Sequence, residues 1–148
     1  MLFRSLQKLT AADLIDLQRF TEAWETYPVV WTSGGVAPAI GNGVLLGRKL
    51  VAGKNRWNWI SWIPGSTTTF GTGQYFFSTS DIGRAQAVVG SMYIFDNGTA
   101  NRSAISVLTS TRDNIFGVTS ADTDVSATVP QTFVNGDSMS TLIHYEVA

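Results

Sequence analysis

The chain has 148 residues, 44 % hydrophobic and only 14 % charged, with a net charge of −1 at pH 7 and no cysteine. That length fits one domain with a real core. The missing cysteines exclude disulfide staples, zinc ribbons and thiol nucleophiles, and near-neutrality leaves no electrostatic footprint for nucleic acid.

The opening MLFRSLQKLT lacks a sustained apolar run before a small-residue cleavage site, so no signal peptide is expected. No apolar stretch reaches the roughly 18 residues of a membrane span, and membrane insertion is not expected. Thr10 followed by Ala11, Ala12 and Asp13 approximates a capping box. Leu14, Leu17, Phe20 and Trp24 then recur at spacings of 3, 3 and 4, one stripe of a short helix. Tyr27-Pro28 stops it, because the residue before proline disfavours the α region. A helix of about four turns is marginal alone in water, so its stripe must dock on its own β domain, on symmetry mates or on another protein. Residues 1–26 are therefore read as a helical attachment or trimerisation segment, and 27–148 as a β domain.

Beyond residue 27, short apolar runs alternate with Gly, Ser, Thr and Asn punctuation. Strands are expected at 28–32, 44–52, 55–63, 74–79, 85–95, 103–110, 113–119 and 138–147, with 125–134 a candidate ninth. No helical crossover separates them, which points to a mainly β, antiparallel sandwich or jelly roll of about eight strands. Side-chain parity places Trp57, Trp59 and Ile63 on one face of 55–63, and Ile60 and Trp62 with Arg56 and Asn58 on the other. In 138–147, Met139, Ile143, Tyr145 and Val147 line one face, with Ser138, Ser140, Leu142, His144 and Glu146 opposite. A strand apolar on both faces is central, or has one face in the core and the other against a neighbour. Trp57 and Trp59 are candidates for a sugar-stacking platform, although packing is the commoner use of such a pair.

The equipment of an enzyme is sparse. His144 is the one histidine, and no G-x-S-x-G elbow occurs. Gly41 to Gly47 has the wrong spacing for a dinucleotide loop and precedes a strand, and Gly53-Lys54-Asn55 lacks the Walker pattern. Asp122 and Asp124, with Asp113 nearby, are the oxygen donors calcium takes, but alternate carboxylates are ordinary in turns. No metal, cofactor or catalytic residue is expected. Arg48, Lys49, Lys54 and Arg56 form the one local basic cluster, read as a solvated hairpin face rather than a site for an acidic polymer. The sequons at Asn97 and Asn101 are read as turn chemistry. A charge-poor, Ser/Thr-rich skin costs little to desolvate, which favours an oligomer.

Residues 31–78 carry Trp31-Thr32, Pro38-Ala39-Ile40-Gly41-Asn42-Gly43, Gly47-Arg48 and the run Gly65 to Gly73, GSTTTFGTG. This stretch resembles a module of small virion proteins from tailed phages of actinobacteria, of the minor-tail, tail-fibre or head-fibre-like kind. Lys49 departs from that pattern, which often has an aromatic there. The blocks at 89–102 and 128–148, and the opening LTAADL at 9–14, are similar to parts of the same proteins. The resemblance implies a non-enzymatic virion protein made in the host cytoplasm, a homotrimer whose other partners are virion proteins. It carries two positions: a tail-tip or fibre protein touching a host-surface glycan, or a capsid decoration protein. The candidate contact residues are Trp57, Trp59, Ser66, Thr67, Thr68 and Thr69, beside the assembly stripe of Leu14, Leu17, Phe20 and Trp24. The Ser/Thr hydroxyls suit a glycan or a subunit contact, but they also suit a turn that bonds its own backbone.

Overall fold

Alternating apolar residues produce nine strands in the computed structural model, which describes residues 24–98 and 100–148. They are β1 (Glu25–Tyr27), β2 (Trp31–Ser33), β3 (Val44–Ala52), β4 (Asn55–Ile63) and β5 (Tyr75–Ser78). The second half adds β6 (Val88–Phe95), β7 (Arg102–Leu108), β8 (Asn114–Thr119) and β9 (Ser138–Glu146). Every pairing is antiparallel, and the order is β1-β3-β4-β9-β6-β7-β8-β5-β2 in one continuous curled sheet.

The two edges of this sheet are held together by one stretch of chain. β1 pairs with β3 at one edge and β2 with β5 at the other, yet only residues 28–30 separate them. So short a linker forces the sheet to curl until its edges nearly meet. Val30 N–H donates to Ser78 Oγ at 2.8 Å, and Ser78 N–H donates to the Val30 carbonyl at 2.9 Å. Tyr27 O–H reaches the Ser78 carbonyl at 3.3 Å. Gly47 leaves room for this strap, since a Cβ there would run into the Val29 side chain.

The core lies inside the curl. Trp62 on β4 meets Trp31 on β2 edge-on at 5.2 Å, and Phe133 packs on Trp62 at the same centroid distance. Tyr75, Phe77, Ile94, Leu108, Ile115 and Ile143 complete it. On the inner face, Ser106 of β7 and Thr141 of β9 join their hydroxyls across β6 at 2.8 Å. Thr141 also donates to the Ser91 carbonyl, so neither hydroxyl is buried unpaired.

The mainly β, antiparallel class and the inward and outward faces of β4 and β9 match the sequence reading, and the 44–52 and 55–63 boundaries agree to the residue. Three details differ. The expected strand 28–32 survives only as β2 at Trp31–Ser33, because Pro28 has no N–H to give a ladder. The stretch 125–134 forms no strand, only isolated bridges such as Gln74 with Ser126, so the ninth strand is Glu25–Tyr27 instead. The sheet is one unbroken ladder of nine strands rather than about eight in two sheets. The expected helix stripe at Leu14, Leu17 and Phe20 lies outside the described residues; Trp24 is within them, half-buried and in no regular element.

Candidate functional site

Two loops that the sequence marks separately are one structure. Residues 39–43 and 65–69 clasp each other at the end of the β3–β4 pair. Asn42 N–H donates to Thr67 Oγ1 at 2.9 Å, and Thr67 N–H and Oγ1 both donate to Asn42 Oδ1 at 3.0 Å. Asn42 Nδ2 donates to Ser66 Oγ at 3.1 Å. Thr68 Oγ1 donates to the Ile40 carbonyl at 2.6 Å and accepts from Gly65 N–H at 2.8 Å. Thr69 and Ala39 exchange backbone bonds in both directions at 2.9 Å. Gly41 takes a φ of +58°, and a Cβ there would lie 2.5 Å from the Thr67 carbonyl oxygen. The hydroxyls singled out as glycan contacts therefore hold the fold first. Ser66, Thr67 and Thr69 remain exposed on the outside of the clasp.

The tryptophan pair divides in two. Trp57 stacks on His144 of β9, ring centroids 4.5 Å apart and 14° from parallel, and His144 Nε2 meets Asn55 Oδ1 at 3.0 Å. One face of Trp57 is thus covered by the imidazole. Trp59 lies one row away and joins Trp24, Arg48 and Leu142 in a cleft of about 340 Å³. Arg48 reaches over this cleft to donate to the Trp24 carbonyl at 3.2 Å.

These residues belong to a larger surface. The outer face carries Leu46 and Leu50 on β3, Phe76 on β5, Tyr93 and Phe95 on β6, Ile105 on β7, Phe116 on β8 and Leu142 on β9. Phe76 and Phe116 pack edge-on at 6.3 Å. Tyr93 is 48 % exposed and Leu142 52 %, in positions where a solvated sheet face would carry charge. Sequence reading found only the β4 and β9 part of this face; the same parity count over 44–52, 74–79, 85–95, 103–110 and 113–119 would have found the rest.

The ionic candidates do not converge. Arg48 and Lys49 point to opposite faces of β3, Lys49 lies 3.7 Å from Glu25, and Arg56 holds Asp81 at 2.8 Å. The expected solvated basic face is thus corrected, because partners claim three of its four cations. Asp113 precedes β8 while Asp122 and Asp124 follow it, so the strand's length separates them. The Thr111 hydroxyl, helped by Asn114, holds the Asp113 carboxyl below its usual range. Among the described residues no three His, Asp or Glu side chains gather as metal ligands. No protein-family model, curated protein or solved structure matches the chain.

Proposed function

We propose that the protein is a non-enzymatic structural component of a tailed-phage virion, assembling as a homotrimer in a tail-tip or fibre-like position. The observation that carries the structural part is the apolar outer face, present on seven strands and too extensive for a face left in water. Only 14 % of residues are charged, so covering this skin with copies of the chain or other virion proteins costs little desolvation. The phage assignment rests on the resemblance of residues 31–78 described above. In fold terms, β1-β3-β4-β9-β6 and β7-β8-β5-β2 act as the two walls of a sandwich bent from one sheet, a reading supported by the Trp62–Trp31 contact across the core.

A second position, capsid decoration or head fibre, is favoured by one observation. Thr67 and Thr68 spend their hydroxyls on Asn42 and Ile40, which leaves the clasp less to offer a host glycan. Such a protein would clamp shell subunits and bind no receptor. Immunogold labelling of virions separates the positions: label at the tail supports the fibre reading, and label over the head replaces it. Turnover of host polysaccharide by the purified protein would overturn the non-enzymatic reading altogether.

A further inference from the structure

We propose that Asn135 is a site of spontaneous deamidation, and that its product loosens the turn carrying the buried Asp137. The sequence holds three Asn-Gly pairs, at 42–43, 97–98 and 135–136. All three have the same local chemistry, because glycine puts no side chain in the way of its own amide nitrogen. The fold treats them differently.

Reaction needs the glycine nitrogen to swing onto the asparagine Cγ, so that peptide must rotate and the side chain must be free to meet it. Gly43 N–H donates to the Ile40 carbonyl at 2.9 Å, and the clasp holds the Asn42 side chain on Thr67 and Ser66. Gly98 N–H donates to the Asp96 carbonyl at 2.8 Å. The Asn97 side chain lies against Gly136, where an added Cβ would come within 2.5 Å of Asn97 Nδ2. Residues 134–137 form a β-turn, with Asp137 N–H on the Val134 carbonyl at 3.3 Å and Val134 N–H on Asp137 Oδ2 at 2.8 Å. Gly136 N–H belongs to the central peptide, which that pattern leaves unbonded. Neither this N–H nor the Asn135 side chain has a hydrogen-bond partner among the described residues, and both residues are exposed. Glycine, here at a φ of +99°, lets the peptide turn over at little steric cost. Rotation therefore breaks no hydrogen bond at 135–136, and breaks one at each of the other pairs.

Water is the only co-reactant. The Gly136 nitrogen bonds to Asn135 Cγ while its proton passes through water to Nδ2, which leaves as ammonia and closes a five-membered imide. Water then opens the ring at either carbonyl. Opening at Cγ leaves aspartate; opening at the main-chain carbonyl leaves isoaspartate, whose backbone runs through Cβ with one extra methylene. Nothing is oxidised or reduced. Isoaspartate lengthens the turn that Asp137 ties, and Asp137, 1 % exposed, also holds Asn97 N–H at 2.9 Å. Both products set a new carboxylate two residues from a buried one, and like charges repel. The site stands apart from the virion reading and survives its failure.

The test ages the full-length protein in mildly alkaline buffer, folded and in denaturing urea, and maps both samples by peptide mass spectrometry. In the folded sample Asn135 should convert to aspartate and isoaspartate at least tenfold faster than Asn42 or Asn97. In urea the gap should close, since only the fold separates the three pairs. Equal or faster conversion at Asn42 or Asn97 in the folded protein, an Asn135 that reacts only in urea, or a gap that persists in urea would each overturn the inference. Asn135→Ser should remove the acidic species that ageing adds on isoelectric focusing, and an acidic species that persists would overturn it too. For the product, the isoaspartyl fraction should unfold at lower urea than Asn135→Asp, which carries the charge without the methylene. Coincident midpoints would overturn the link to Asp137.

Discussion

Asp137 shows how much one buried carboxylate organises. It is 1 % exposed and accepts from Asn97 N–H at 2.9 Å and from Val134 N–H at 2.8 Å, tying the turn after β6 to the turn before β9. Hydrogen bonds to a charged group are worth about 1.5–3 kcal/mol each, and removing the acceptor strands two amides. Asp137→Ala should therefore destabilise by about 3 kcal/mol, and Asp137→Asn by clearly less because one acceptor oxygen survives. Urea unfolding with an unchanged m-value would measure both; equal losses would contradict the assignment of one amide to each oxygen. Two tyrosines set an alkaline limit. Burial raises the Tyr27 and Tyr75 phenols well above their ordinary value, with the Tyr145 phenol adding to Tyr27. The unfolded chain releases these protons near pH 10, while the folded chain holds them. Stability from both groups is thus complete below about pH 10 and is lost as pH rises beyond it. Tyr75→Phe should flatten that loss by one proton, although it gives up the 2.8 Å bond to the Phe70 carbonyl. Unfolding titrations between pH 8 and 11.5 would show no difference in slope if the phenol were not the cause.

At the scale of elements, the clasp between residues 39–43 and 65–69 behaves as one unit. Asn42 and Thr67 exchange three bonds of 2.9–3.0 Å, so each loses its partner when the other is truncated. A double-mutant cycle of Asn42→Ala and Thr67→Ala should give a coupling energy of about 1–2 kcal/mol. Strict additivity in thermal or urea unfolding would mean that the loops are stabilised independently. The sequence announced each loop by its Gly, Asn and Thr content, but not that they meet, because turn chemistry is local and the pairing spans 25 residues. Strands with clear alternation were legible almost to the residue. β1 was not: Glu25–Tyr27 has no period of its own and becomes a strand only because β3 offers it an edge. The run 125–134 failed the other way, since Val125 and Phe133 are buried as loop residues that plug the curl rather than as strand positions. Of the candidate site, parity revealed Trp57, Trp59 and Leu142, while the imidazole over Trp57 and the guanidinium at Trp24 depend on register across strands.

For the whole molecule, the question is what covers an outer face that resembles a second core. Its middle is the row of Trp59, Leu142, Ser91 and Ile105. Closer to the loop end lies a further patch, where Val44 pairs with Ile63 on one side and Phe95 with Ser138 on the other. Phe95 is 38 % exposed and Ile63 42 %, with Tyr93 next along the strand. This patch is continuous with the outer face and exposed, so it is available to another copy. Burying it between subunits gains about 25 cal/mol for each Å² of apolar surface removed from water, and no charged side chain among these residues opposes the step. Tyr93→Asp with Phe95→Asp places two carboxylates where a partner would have to desolvate them, at a cost of several kcal/mol per ion. The folded monomer should barely notice, because exposed substitutions usually stay within about 0.5 kcal/mol. Sedimentation at micromolar concentration should then show about three chain masses for the parent protein and one for the double variant, with unchanged thermal unfolding extrapolated to the monomer. A variant that stays trimeric would move the subunit contact to another face, and a parent chain that sediments alone would remove the trimer itself.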